Sequence, residues 1–403
     1  MLRPRWLSPT LLNSPHGRGL ALVSLLALSG ASAPACGGSQ AQAPAEAEPA
    51  GEPTEQTTSK PPPEPVVVAE PVAEPPPPAD PWGPISEDQA KILWAGEEET
   101  RINTPEHYVK TNERRHDVWF PYIADKRGIY VGVAADQNYT LMAVAKAEFA
   151  FLIDLDWRVT ELHRAYEVLI EASEDPKTLH ARFLAKNEEE SVKLIEEGLA
   201  DLDPEIRRQA IISWRAARET VYLHLENVIA RDQDGVPTSW LSNADYYAHV
   251  RKLYLNDRIR MLVGDLTGPK TVQTVASAAK GLGLPVKVLY LSNAEEYYDY
   301  TSQYRSNIAA LEIADDSVVL RTIYSKEWVH ADALWNYQVQ PLSDYQARLT
   351  DKKNTRRNSM LRHAEVADQL EKNDAQVSGL SRVNIAKLPA WGEGSGAEAA
   401  AQP

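Results

Sequence analysis

Four aspartates stand where strand-forming runs give way to turns, and that placement is the clearest chemical signal in the chain. Residues 129–133 are apolar and stop at Ala134-Ala135-Asp136-Gln137-Asn138. A second apolar run, 149–153, stops at Asp154-Leu155-Asp156, and a further strand-forming stretch, 258–264, is followed by Asp265. A small-residue turn at the end of one strand, with carboxylates at the end of the next, is the layout that binds a nucleoside cofactor. Simpler roles stand beside this one. Asp154 and Asp156 lie two apart, so on a strand they point to one side, and either can cap the helix that follows. Ser292 with Glu295, or Asn293 with Glu296, has the spacing of a capping box.

The elements that position these residues alternate. After the opening strand and its turn, a helix is predicted over 139–148, then the strand 149–153, whose unbroken apolar run suits a parallel strand covered on both faces. Val159, Leu162, Ala165, Tyr166 and Leu169 form a helical stripe over 158–172. Residues 174–256 read as a helical insertion. Within it, Asp203-Pro204-Glu205 opens a long helix with an N-cap and a proline at the first position, and Asp232-Gln233-Asp234-Gly235 makes a simple turn. Strands resume at 258–264, 286–291 and 317–324, with an antiparallel one expected at 334–340. Gly281 and Gly283 stop the helix of 271–280, and a further helix is expected to carry Tyr297, Tyr298, Tyr300 and Tyr304. The fold class is α/β, a doubly wound, mostly parallel sheet over 128–350 with a helical insertion after its second strand. A helical lead-in that packs against the sheet is expected at 85–127, with His107 and His116 on the solvated surface. A charged helix is expected within 351–390, and a disordered tail at 391–403.

Composition bears on the address. Arg3, Arg5 and Arg18 precede the apolar segment 19–28, which is too short to span a bilayer and reads as an export signal. Cys36 is the only cysteine, so no intramolecular disulfide can form. Residues 37–84 hold 14 of the 28 prolines and carry a net charge of −7, which predicts an extended tether with a reach of roughly 100 Å. A net charge of −11 remains on 85–403, which disfavours nucleic acid as a partner. The sequence has no Gly-x-Ser-x-Gly elbow, no phosphate-binding loop and no His-Glu-x-x-His motif.

Two resemblances follow. Ala33-Pro34-Ala35-Cys36 resembles the lipobox of bacterial lipoproteins, which implies a signal peptide over 1–36, a lipid anchor on Cys36 and membrane attachment. Gly37 after the cysteine implies the outer membrane of the cell envelope. The segment 128–340 resembles the Rossmann-like fold of class I S-adenosylmethionine-dependent methyltransferases, and the mature chain resembles an uncharacterised family of bacterial lipoproteins built on it. That resemblance implies S-adenosylmethionine as cofactor. It places Gly132, Asp136 and Gln137 against the cofactor, Asp154 or Asp156 on the ribose, Asp265 near the adenine, and Ser292-Asn293 facing the substrate. The other expectation is a non-catalytic envelope scaffold that binds a protein partner through the insertion.

Overall fold

The computed structural model describes residues 80–366 and 369–388. The expected leader, Cys36, nearly all of the tether and the tail lie outside them. Helix α1 (Glu87–Leu93) opens with a capping box from Ser86, and α2 (Phe120–Ile123) is a single buried turn. Strand β1 (Ile129–Val133), α3 (Gln137–Val144), β2 (Phe149–Asp154) and α4 (Trp157–Glu171) follow. The insertion holds α5 (Pro176–Arg182), α6 (Glu188–Gly198), α7 (Pro204–Ile229), the small hairpin β3 (Asp232–Gln233) and β4 (Val236–Pro237), and α8 (Ala244–Leu255). Then come β5 (Ile259–Val263), α9 (Thr271–Leu282), β6 (Val286–Ser292), α10 (Ser302–Ala310), β7 (Ile313–Ile323) and β8 (Asn336–Pro341). Helices α11 (Leu342–Thr350) and α12 (Arg357–Val366) and strands β9 (Leu370–Glu371) and β10 (Leu380–Val383) complete it.

The main sheet has the order β5-β2-β1-β6-β7-β8-β10-β9. Its first five strands are mutually parallel, and β8 runs antiparallel to β7. Leaving out the small hairpin, those five stand in the order 3-2-1-4-5 of a Rossmann-like doubly wound sheet. The chain reverses direction across the sheet between β1 and β6, and outside the carboxyl ends of those two strands lies the crevice where such folds bind ligands.

Alternation along each strand explains the unbroken apolar runs. Tyr130, Leu152, Met261 and Tyr290 enter a core shared with α3, α4, α7 and α8, while Val131, Phe151, Leu262 and Leu289 enter one shared with α9, α10 and α11. With both faces covered, each fully buried leucine or phenylalanine contributes about 2 kcal/mol. The insertion belongs to the first core: Trp214, Val221 and Trp240 are fully buried in it. The N-cap expected at Asp203 forms, its carboxylate accepting from the Glu205 amide, and Gly283 ends α9 in the left-handed conformation at φ +65°.

Several expectations need correction. Residues 85–127 are not a helical lead-in, since between α1 and residue 116 the chain is irregular, with a single β-bridge at Ile102. Residues 351–390 do not form one charged helix. After α12 they contribute β9 and β10, because β8 leaves an open sheet edge that Leu380–Val383 pairs with in parallel. Neither capping box at 292–296 opens an α-helix: a single 3-10 turn, Ala294–Glu296, follows without a side-chain cap, and α10 starts ten residues after Ser292, capped by Thr301.

Candidate functional site

The turn after β1 is closed by Asn138. Its amide nitrogen donates to the carbonyls of Val133 and Ala135, both at 2.8 Å, and its carbonyl oxygen accepts from the Tyr130 hydroxyl at 2.8 Å. Gly132 makes room for that bond: a Cβ there would stand 2.0 Å from the Asn138 oxygen. Its small size therefore serves packing within the turn. Ala134 is left-handed at φ +67°, as is Ser292 at φ +49° at the tip of β6, so both strand ends beside the crevice hold non-glycine residues in that region. The Ala134 carbonyl accepts from His163 Nε2 at 2.8 Å, and His163 Nδ1 accepts from the Tyr139 hydroxyl at 2.6 Å. Burial pushes the His163 imidazole down to about 4, which matches a neutral ring that donates at one nitrogen and accepts at the other.

The predicted acids separate. Asp136 is buried and faces the insertion, accepting from His224 Nε2 at 2.8 Å and from Trp240 Nε1 at 3.3 Å. Burial alone would raise its pKa, and His224 beside it outweighs that, holding the carboxyl below its ordinary 3.8. Asp156 caps α4 by accepting from the Arg158 amide at 2.9 Å. Asp154 accepts from the Asp156 amide at 2.8 Å; burial, with the neighbouring Asp156 charge adding to it, pushes its carboxyl up to about 7. Asp265 accepts from the Thr267 amide and hydroxyl at 2.8 and 2.7 Å, closing its own loop. Asn293 reaches only Glu296, at 3.3 Å. Gln137 donates to the Tyr290 hydroxyl at 3.2 Å.

Sequence reasoning missed the segment that covers this edge. Residues 97–116 form a strap that crosses the carboxyl ends of β5, β2, β6 and β7 and the amino end of β8. At β5, the Glu99 amide donates to Val263 at 3.1 Å, and its carboxylate accepts from the Lys270 amide at 2.7 Å. At β2, Ile102 bridges Asp156. His107 is held between Asp156 (Nδ1 to Oδ2, 2.5 Å) and Arg158 (Nη1 to Nε2, 2.7 Å). An Nδ1–H donor and an Nε2 acceptor satisfy both bonds, so the ring's lone pair is already engaged and the pair is not set up as a free general base.

At β6 and β7 the strap inserts Glu113. Its carboxylate, 1% exposed, accepts from the hydroxyls of Ser292 (2.7 Å), Tyr290 (2.8 Å) and Thr322 (2.9 Å) and from His116 Nε2 (3.0 Å). Further on, the Tyr337 hydroxyl of β8 accepts from the amides of Arg114 and Arg115. His107 and His116 are thus not solvated: one is half-buried and the other is 1% exposed. The only local signal for Glu113 was its i, i+3 spacing to His116, which does not announce burial.

Ser292 and Gln137 are therefore brought together through Tyr290 and Glu113, and Asp154 with Asp156 through the β2 tip. Among the described residues, no group of three or more histidines, cysteines or acids is arranged to hold a metal ion, and no helix is long and apolar enough to cross a membrane.

A family model described as a domain of unknown function, DUF7790, matches residues 108–384. The chain belongs to this family. The DUF7790 match begins within the strap, takes in Glu113, and runs past β10, so Glu113 with its four donors and the C-terminal strands fall inside the family's domain. No curated protein matches the chain.

Proposed function

We infer that the chain is a lipid-anchored protein of the cell envelope, held through Cys36 at the outer membrane, whose methyltransferase-like sheet serves as a non-catalytic scaffold. The observation that supports this reading is Glu113. Its carboxylate stands between the tips of β6 and β7, next to the crevice, and is satisfied there by four donors from the chain itself. A buried carboxylate with four donors is costly to displace, and its negative charge opposes phosphate or carboxylate groups entering beside it. Gly132 and Asp136, which a cofactor would use, are engaged by Asn138, His224 and Trp240. The insertion would present the partner surface: Ile212 and Leu223 are exposed on α7, three helical turns apart.

A second reading, an adenosine-type ligand such as S-adenosylmethionine at the β1 and β2 tips, is favoured by Asp154. It is half-buried beside the turn and ionises near neutrality, suited to exchanging a hydrogen bond with a ligand hydroxyl. Calorimetric titration with S-adenosylmethionine and S-adenosylhomocysteine separates the two. The scaffold reading expects no heat at millimolar ligand with folded protein, and saturable heat that Asp154→Asn abolishes would overturn it.

A further inference from the structure

Beyond the carboxyl ends of β6 and β7, between the loops that follow them and the start of α12, lies a cavity of about 420 Å³, within the size range of small-molecule sites. Tyr297 and Tyr324 line it, at 60% and 50% exposure, and Tyr108 of the strap, 54% exposed, stands beside Tyr297. These three are the large aromatic side chains most exposed among the described residues, and they gather at one place. A cluster of tyrosines left in water is unusual for a surface without a ligand, since each ring forgoes the burial that Tyr300 and Tyr304 obtain a few residues away.

The loop that carries Tyr297 is fixed at both ends. Glu295, 2% exposed, is ion-paired to Arg321 at 3.0 Å and accepts from the Tyr345 hydroxyl at 2.8 Å. Tyr300, 5% exposed, donates its amide to Thr355 at 2.7 Å. The exposed ring is thus presented by a braced loop, which lowers the entropy lost on binding.

The charges around the rings cancel. Arg357 pairs with Glu296 at 2.9 Å and donates to the Thr322 carbonyl at 3.2 Å, while Arg356 pairs with Asp299. Planar carboxylates and guanidiniums side by side offer acceptors and donors in alternation without net charge. That pattern complements vicinal hydroxyls, each of which donates and accepts, and offers a phosphate or a free carboxylate no unpaired cation. Exposed tyrosine rings supply the flat apolar surface on which the C–H face of a pyranose can rest.

We propose that this cavity binds a neutral saccharide, with Tyr297 and Tyr324 as stacking platforms and the Arg356–Asp299 and Arg357–Glu296 pairs contacting its hydroxyls. The site stands apart from the crevice and does not depend on how the chain is anchored or on whether the sheet is catalytic. The test is ligand-observed NMR and calorimetry on the folded protein, with N-acetylglucosamine and glucose oligomers as neutral probes, and glucuronate and adenosine for comparison. Saturable binding of a neutral oligomer is expected. Tyr297→Ala and Tyr324→Ala, both surface changes, should weaken it about ten-fold or more, the loss expected of a stacking anchor. Arg356→Ala should weaken it by a smaller factor. No binding of any neutral oligomer at millimolar concentration overturns the proposal, as does binding that both tyrosine variants leave unchanged. Preferential binding of glucuronate or adenosine at these tyrosines overturns the ligand class.

Discussion

The tip of β2 and the tips of β6 and β7 handle their carboxylates differently. At the tip of β2, Asp154 and Asp156 are served by backbone amides within two residues, Asp156 opening α4 and adding one distant tie, to His107. On the β6 and β7 side, Glu113 arrives from 177 to 209 residues away and gathers three hydroxyls and an imidazole in a site sealed from water. Local satisfaction ties a carboxylate mainly to its own turn. Long-range satisfaction makes the carboxylate a structural centre, because donors from separate strands lose their shared acceptor once it is gone.

The largest effect should come from breaking the second side. Glu113→Ala should cost about 3–5 kcal/mol in urea denaturation, since it strands the hydroxyls of Tyr290, Ser292 and Thr322 beside a new cavity. Asp156→Ala, which loses a helix cap and the tie to His107, should cost about 1–2 kcal/mol. Equal losses would erase the distinction between the two sides.

Asp154 sharpens the comparison through pH. Its carboxyl ionises at about 7 in the folded protein against an ordinary 3.8, so between those values the folded state holds a proton that the unfolded chain has released. The stability it contributes is complete below about pH 4 and is lost as pH rises through 7. Asp154→Asn should therefore match wild type at pH 4 and exceed it above pH 7 by about 2 kcal/mol, the full shift being discounted for partial exposure. Thermal unfolding at the two pH values measures this, and parallel profiles would show that the carboxyl is not desolvated. The smallest change is Ala134→Gly. Relieving a left-handed alanine at φ +67° should stabilise by about 0.5 kcal/mol after glycine's extra unfolded-state entropy, read from the denaturation midpoint.

Much of the fold was legible because its signals are local. Five parallel strands, the antiparallel β8, the helical insertion, the Asp203 cap and the Gly283 stop all follow from periodicity and capping chemistry within a few residues. The site was legible only as a set of strand tips. That Asp136 turns to His224, that Gly132 clears space for Asn138, and that Ser292 serves Glu113 required knowing which segments meet. Between residues 97 and 116 the sequence shows neither apolar alternation nor a helical stripe, so pattern reading returned a helical lead-in with surface histidines. The run nonetheless spans the sheet edge, because its polar side chains and amides find partners on β5, β6, β7 and β8 and in the turn after β2, which only the folded order β5-β2-β1-β6-β7-β8 aligns. By itself, then, the sequence determined the strands, helices and turns of the parallel sheet and its insertion, since those choices depend on backbone energetics over a few neighbours. Tertiary structure alone decided which acid is sealed, which caps a helix and which tyrosines stay in water, since partner choice depends on contacts between segments far apart in the chain.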